Sequence, residues 1–310
     1  MDDRPKLLVI IDSEKYIVAN CFQHQLFEVL SKVFRVDTLT LRQIKWNPFV
    51  NIGDHDVILS VLRQRTLASN VGKLSKLLNG RPVIIYDQDP WQSFIDDSPT
   101  RGCYELFAKN LNIRGLMLTS NWWVQFCRER DFPAHFVRMG MLPEYCKPGL
   151  EWTQRTIDLG FQGTLHPHRK AFFEELLELG IEVNLSKSCG YTEYLDALSS
   201  MRVFVHTEDA PWIVEGRSVA RNALWIKDVE AAARGCFALR NWDEDYNAYG
   251  LEELPTIIAF RHISEIPDII ERIRNLPEKR RQAMINTAVN KIRDRNDWMT
   301  VVQCLNRLQY

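Results

Sequence analysis

Several short segments of the chain set charged residues, aromatics or a glycine directly after an apolar run, where a strand would end. In Phe161-Gln162-Gly163-Thr164-Leu165-His166-Pro167-His168-Arg169 a glycine precedes a proline-led stretch of helical spacing. Gly163 would let the backbone approach a ligand closely, with Thr164 in the same turn, and the start of the next helix offers free amides and a positive dipole end to a diphosphate. Arg169 adds a formal charge there. A plain βα turn is the alternative for the same residues. His166 and His168 have no third ligand at a usable spacing, so capping or phosphate contact suits them better than a metal. A second segment is Lys227-Asp228-Val229-Glu230-Ala231-Ala232-Ala233-Arg234-Gly235. A carboxylate in the first turn of a short, small-residue helix can accept both hydroxyls of a ribose, and Lys227 can neutralise phosphate. Otherwise Glu230 only complements the helix dipole.

Two further segments carry carboxylates. In Tyr86-Asp87-Gln88-Asp89-Pro90-Trp91, Asp87 and Asp89 sit beside an apolar strand end, which can separate their protonation tendencies and leave one as general base toward a hydroxyl. The alternative is an Asp-Pro turn whose side chains cap their own backbone. An Asp-x-Asp triplet is also a metal-site pattern, but in a two-domain setting no metal is expected. In His206-Thr207-Glu208-Asp209-Ala210-Pro211-Trp212, His206 could meet phosphate or sugar, or belong to a satisfied polar loop. Ser13 to Asn20 and Ser120 to Trp123 follow other strands and would shape an acceptor side, together with Trp91. Trp122-Trp123 could be a sugar platform, with at least one of the pair facing the core.

These segments need a scaffold, and the periodicity supplies one. Lys6 to Asp12, Arg35 to Leu41, Asp56 to Leu62, Pro82 to Tyr86, Gly115 to Thr119 and His135 to Met139 are short apolar or β-branched runs, and Glu14 to Phe34 has helical spacing. Proline-rich sequence follows, with a linker near Lys147 to Thr153. The alternation then resumes with strands near Ile157 to Phe161, Ile181 to Leu185, Arg202 to His206, Cys236 to Leu239 and Thr256 to Phe260. Helices span Pro167 to Leu179, Tyr194 to Ser200 and Val229 to Arg234, another opens at Ser264, and Glu278 to Arg295 and Trp298 to Leu308 end the chain. Strands apolar on both faces belong to sheets covered on both sides by helices. In such sheets ligands sit at the carboxyl ends of the strands, where every segment above lies.

Lys227 to Leu239 resembles the R-x-F-E-A-x-A-C-G segment of GT-B glycosyltransferases, in particular the spore-maturation (CgeB-like) group. Asp158-Leu159-Gly160-Phe161-Gln162-Gly163, with Arg169 after it, is similar to the same group's strand-glycine entry. The resemblance spans roughly residues 80 to 270. It implies an α/β protein of two Rossmann-like domains facing each other across a cleft, with the C-terminal helix returning to the N-terminal domain. The expected boundaries are an acceptor-side domain at 1–148, a nucleotide-sugar-binding domain at 149–290 and a crossing helix at 291–310. It further implies that Glu230 binds the donor ribose, that Lys227 lies by the phosphates, and that the Gly163 loop faces the diphosphate. Many retaining members carry a second glutamate eight positions earlier; here that position is Asn222, and Glu215 is a weak substitute.

The expected activity is metal-independent transfer of a sugar from a nucleotide-sugar donor to a saccharide or other hydroxyl acceptor, with no cofactor. A nucleotide-sugar epimerase of the same fold and a non-catalytic binding protein are the competing readings. The net charge of -1 over 310 residues gives no global field for nucleic acid or anionic lipid. The charges at Glu278 to Arg281 and Lys291 to Arg295 are interleaved in sign, as on a solvated helix face. No apolar run approaches the length of a membrane span, and the charged N-terminus lacks a signal-peptide core. Seven scattered cysteines without C-x-x-C spacing fit a reducing cytoplasm. With no G-x-G-x-x-G after the first strand and no Walker A sequence, dehydrogenase and P-loop chemistry are excluded.

Overall fold

Strands with two apolar faces can be buried only if helices cover both sides of their sheet, and the chain folds accordingly. The computed structural model describes residues 3–13, 22–47, 50, 52–187, 189–210, 212–220 and 226–309. The first elements are β1 (Lys6–Ile11), α1 (Phe22–Val33), β2 (Arg35–Thr40), α2 (Leu41–Trp46), β3 (Val57–Ser60), α3 (Gln64–Leu78), β4 (Pro82–Asp87), α4 (Cys103–Asn110), β5 (Asn112–Leu118), α5 (Asn121–Arg128) and β6 (Ala134–Phe136). Then follow β7 (Ile157–Gln162), α6 (Pro167–Glu178), β8 (Asn184–Ser186), α7 (Tyr191–Ser199), β9 (Met201–His206), β10 (Trp212–Val214) and β11 (Arg217–Val219). The last are α8 (Lys227–Ala233), β12 (Phe237–Asn241), α9 (Glu244–Ala248), β13 (Ile257–Phe260), α10 (Ile266–Arg274), α11 (Glu278–Arg295) and α12 (Met299–Gln309). These form two compact Rossmann-like units: Met1–Arg138 with Pro211–Ala220 and Trp298–Tyr310, and Met139–Ala210 with Arg221–Asp297.

The first unit holds a parallel sheet in the order β2-β1-β3-β4-β5-β6. In β1, which lies between β2 and β3, Leu7, Val9 and Ile11 are wholly buried. Gly115 of β5 lets α12 approach the sheet, since a Cβ there would come 2.7 Å from Leu308 Cδ1. The periodicity did not mark β10 and β11, which pair antiparallel as a hairpin of this unit. Its turn residues Glu215 and Gly216 both have positive φ, 51° and 73°, as a two-residue hairpin turn requires. Asp96 accepts from their amides at 3.1 and 2.9 Å, and Arg130 Nη2 donates to both Glu215 carboxylate oxygens at 2.9 Å.

In the second unit the order is β13-β12-β9-β7-β8, again all parallel. From β7 the chain runs through α6 to β8 on one side, then through α7 to β9 on the other. The strand order therefore reverses between β7 and β9, and the carboxyl ends of strands at such a reversal are the usual ligand position in sheets of this kind. Gly160 permits the tight β7–β9 contact, because a Cβ there would sit 2.7 Å from Met201 Sδ. The run Ala231 to Ala233 is wholly buried and lets α8 pack closely beside β9, β12 and α11. The expected strand at Ile181 to Leu185 starts later, at Asn184, after the αL glycine Gly180 that ends α6.

Candidate functional site

Gly163, directly after β7, has φ +152°, and a Cβ there would lie 2.3 Å from Lys227 Nζ. Lys227 Nζ donates to the Gln162 carbonyl at 2.8 Å and lies 5.1 Å from the centre of the Phe161 ring and 5.6 Å from that of Tyr194. The first residue of α8 therefore reaches the loop at the strand reversal. Burial, helped by the neighbouring Arg169 charge, holds the Lys227 ammonium below the usual lysine range, against the pull of nearby carboxylates. One turn along α8 is Glu230, 2% exposed, whose Oε1 accepts from the Tyr191 hydroxyl at 2.8 Å. Burial pushes its carboxyl up to about 7, opposed by the Tyr191 hydrogen bond and the Lys227 charge. The buried Tyr194 hydroxyl lies close enough to act on this carboxyl but outside good hydrogen-bonding geometry. A diphosphate can meet amides and an ammonium here, and a diol can meet a carboxylate one helical turn away.

Arg169 and His206 are given other partners than the phosphate contact read from sequence. Arg169 pairs with Glu208 and donates to the carbonyls of Thr164 at 2.9 Å and Thr207 at 3.4 Å. His206 is enclosed, with Nε2 2.6 Å from Glu208 Oε1 and Nδ1 3.2 Å from Asp228 Oδ1. Thr164 and His166 stay exposed, and the His166 and His168 rings stack at 5.9 Å. Tyr191 escaped the sequence reading, which quoted Glu208 and Asp228 within their segments but gave them no role. Tyr191 stands 39 residues before Glu230 with no local pattern linking the two.

In the first unit, Asp87 is buried and accepts from Gln64 Nε2 at 2.7 Å, the Tyr104 hydroxyl at 2.7 Å and the Asp89 amide at 2.9 Å. The last bond makes the self-capping turn that was the alternative reading of the Asp-x-Asp triplet. Burial raises the Asp87 carboxyl, opposed by these three donors. Asp87→Ala would strand two buried donors and is expected to destabilise the protein by about 2 kcal/mol in urea unfolding. An unchanged midpoint would contradict that role. Asp89 and Ser13 are half-buried at the ends of β4 and β1. Trp91 is 2% exposed and set edge-on to Trp212 at 5.7 Å, so it serves the core and offers no open sugar wall. Trp122 is half-buried and stacks on Phe126 at 5.4 Å, while Trp123 is fully enclosed. Glu215 is held by Arg130 in the hairpin. Asn20 and Asn222 lie outside the described residues.

Among the described residues, no group of three or more His, Cys, Asp or Glu side chains could hold a metal ion. No described helix is long and apolar enough to cross a membrane. Comparison with protein-family models finds no match, and neither does comparison with curated proteins. The fold is that of the GT-B glycosyltransferases. Among solved structures, the chain is similar to Anabaena Alr3699/HepE in complex with UDP and glucose, at 12% identity over 98% of this chain and 99% of that one, with a TM-score of 0.62. It is also similar to an alpha-glucosyltransferase in complex with UDP-glucose and DNA containing an abasic site, at 10% identity, 99% coverage of both chains and a TM-score of 0.66. A third is sucrose-phosphate synthase from Thermosynechococcus elongatus, at 12% identity, 98% coverage of both and a TM-score of 0.58.

Proposed function

We propose that this protein is a glycosyltransferase that moves a sugar from a nucleoside-diphosphate sugar to a hydroxyl acceptor without a metal ion. The observation that carries the proposal is the meeting, at the strand reversal of the second unit, of the Gly163 backbone with Lys227 and Glu230. The GT-B fold, with solved examples holding UDP or UDP-glucose, and the CgeB-like segments around Gly163 and Glu230 support it. Glu230 would accept the ribose hydroxyls. Lys227 and the amides at the start of α6 would stabilise charge on the departing diphosphate as the anomeric carbon–oxygen bond breaks. Asp89, at the end of β4, is assigned as the base that takes the acceptor's proton, with Asp87 holding its turn. Ser13 and Trp122 are assigned to the acceptor.

Thermal melting with UDP, GDP, dTDP and their sugar conjugates tests the donor site. A ligand at about 100 times its dissociation constant should add about 2.7 kcal/mol of stability. If none of these raised the melting temperature, the donor assignment would fall. Glycosyl transfer to added acceptors, with no epimerised donor in their absence, separates the transferase from an epimerase.

A further inference from the structure

We infer that Arg169, Glu208, His206 and Asp228 are positioning residues: a buried relay of polar contacts that fixes the start of α6 against the start of α8, so that one nucleoside diphosphate can be held at both places together. The inference rests on the donor site proposed above and goes beyond it by assigning these side chains to geometry.

Each link joins a different element. Arg169, in the first turn of α6, pairs with Glu208 beyond the end of β9. Glu208 Oε1 faces His206 Nε2 at 2.6 Å, and the other ring nitrogen faces Asp228 Oδ1 of α8 at 3.2 Å. Asp228 Oδ2 continues to Arg240 Nη1 of β12 at 3.3 Å, and Arg240 is clamped by Asp243. Exposures of 5%, 2%, 1% and 1% for Arg169, Glu208, His206 and Asp228 keep all four away from solvent. The imidazole also stacks on Phe161 at 6.0 Å and 14°, which fixes its plane. With both ring nitrogens against carboxylate oxygens, the ring cannot turn without losing a partner. Apolar side chains could fill such a space with equal or greater stability, so stability alone does not account for four buried polar side chains in a row. Geometry does. The loop at Gly163 and the Lys227–Glu230 turn bind a two-part ligand, and the gain from joining its halves depends on a fixed distance between their sites.

Glu208→Gln neutralises the middle of the relay, and Asp228→Asn weakens the next link from the other side. The probes are whichever of UDP, GDP and dTDP binds the wild-type protein most tightly, its parent nucleoside, and inorganic pyrophosphate, with weak binding read by competition. In either variant the nucleoside diphosphate should bind about tenfold more weakly or worse, and pyrophosphate, which meets both the start of α6 and Lys227, should weaken too, while the nucleoside alone changes by less than about twofold. Unchanged nucleoside-diphosphate affinity in a variant that melts cooperatively would overturn the inference. So would a nucleoside loss equal to the nucleoside-diphosphate loss, which would place the relay under the ribose site alone. Loss of cooperative melting in both variants would count against any role separable from folding. A wild-type protein that binds none of the nucleotides removes the donor site and the relay together, whereas binding by wild type with unaltered variants removes the relay alone.

Discussion

Glu230→Gln is expected to weaken nucleoside-diphosphate binding about 100-fold, since two hydrogen bonds to an ionised carboxylate lose about 1.5 kcal/mol or more each when the acceptor becomes neutral. The same change should stabilise the ligand-free protein, and only at higher pH. In the unfolded chain the Glu230 carboxyl has its ordinary value of 4.5, and burial raises it to about 7 in the fold. Below pH 4.5 both states hold the proton and the fold bears no penalty. Between 4.5 and 7 the unfolded chain releases the proton while the folded chain keeps it, so stability falls as pH rises. Above 7 the loss levels off at about 3 kcal/mol, from roughly 1.4 kcal/mol per pH unit. Glutamine has no such penalty. Calorimetry at pH 5 and pH 8 should show the variant's advantage in melting temperature growing by several degrees between the two. An equal difference at both pH values would show that Glu230 is not a buried, reluctantly ionised group.

The second large effect is expected from Gly163→Ala. The new methyl group would lie 2.3 Å from Lys227 Nζ and 3.2 Å from Phe161 Cζ, and the lysine tip is the part free to move. Its displacement breaks the bond to the Gln162 carbonyl and takes the ammonium away from the diphosphate, for an expected affinity loss of about tenfold or more. The backbone at φ +152° adds about 1–3 kcal/mol of strain for a residue with a side chain. Gly180→Ala is the control. Gly180 has φ +77° with nothing within 4 Å of the added carbon, so it should lose stability and keep nucleotide affinity. Titration calorimetry on both variants would contradict the role of Gly163 if the two retained equal affinity.

Much of this arrangement was legible in the residues. Apolar runs such as Leu7 to Ile11 mark strands, because burial on both faces demands continuous apolar sequence, and Gly163, just past Phe161-Gln162, marks a strand's end. Gly180 and Gly235 mark helix ends, because the left-handed conformation there favours glycine. The β10–β11 hairpin was not legible: strands of three residues are too short to show alternation. Gly163, Lys227 and Glu230 could be singled out because each obeys a local rule for meeting phosphate or a diol, and the fold brings Lys227 to the Gly163 loop. Tyr191, Glu208 and Asp228 obey no such rule, since their roles arise only when β7, β9 and α8 are brought side by side. For the same reason Arg169 and His206 read as ligand contacts, although the fold encloses both against carboxylates of the protein itself.

A crystal structure of the protein with a bound nucleoside diphosphate bears most directly on the donor site. The ribose hydroxyls should lie within hydrogen-bonding distance of the Glu230 carboxylate, with the phosphates between the Gly163 backbone and Lys227 Nζ. A nucleotide seated elsewhere, out of reach of Lys227 Nζ and with Glu230 touching only Tyr191, would contradict it.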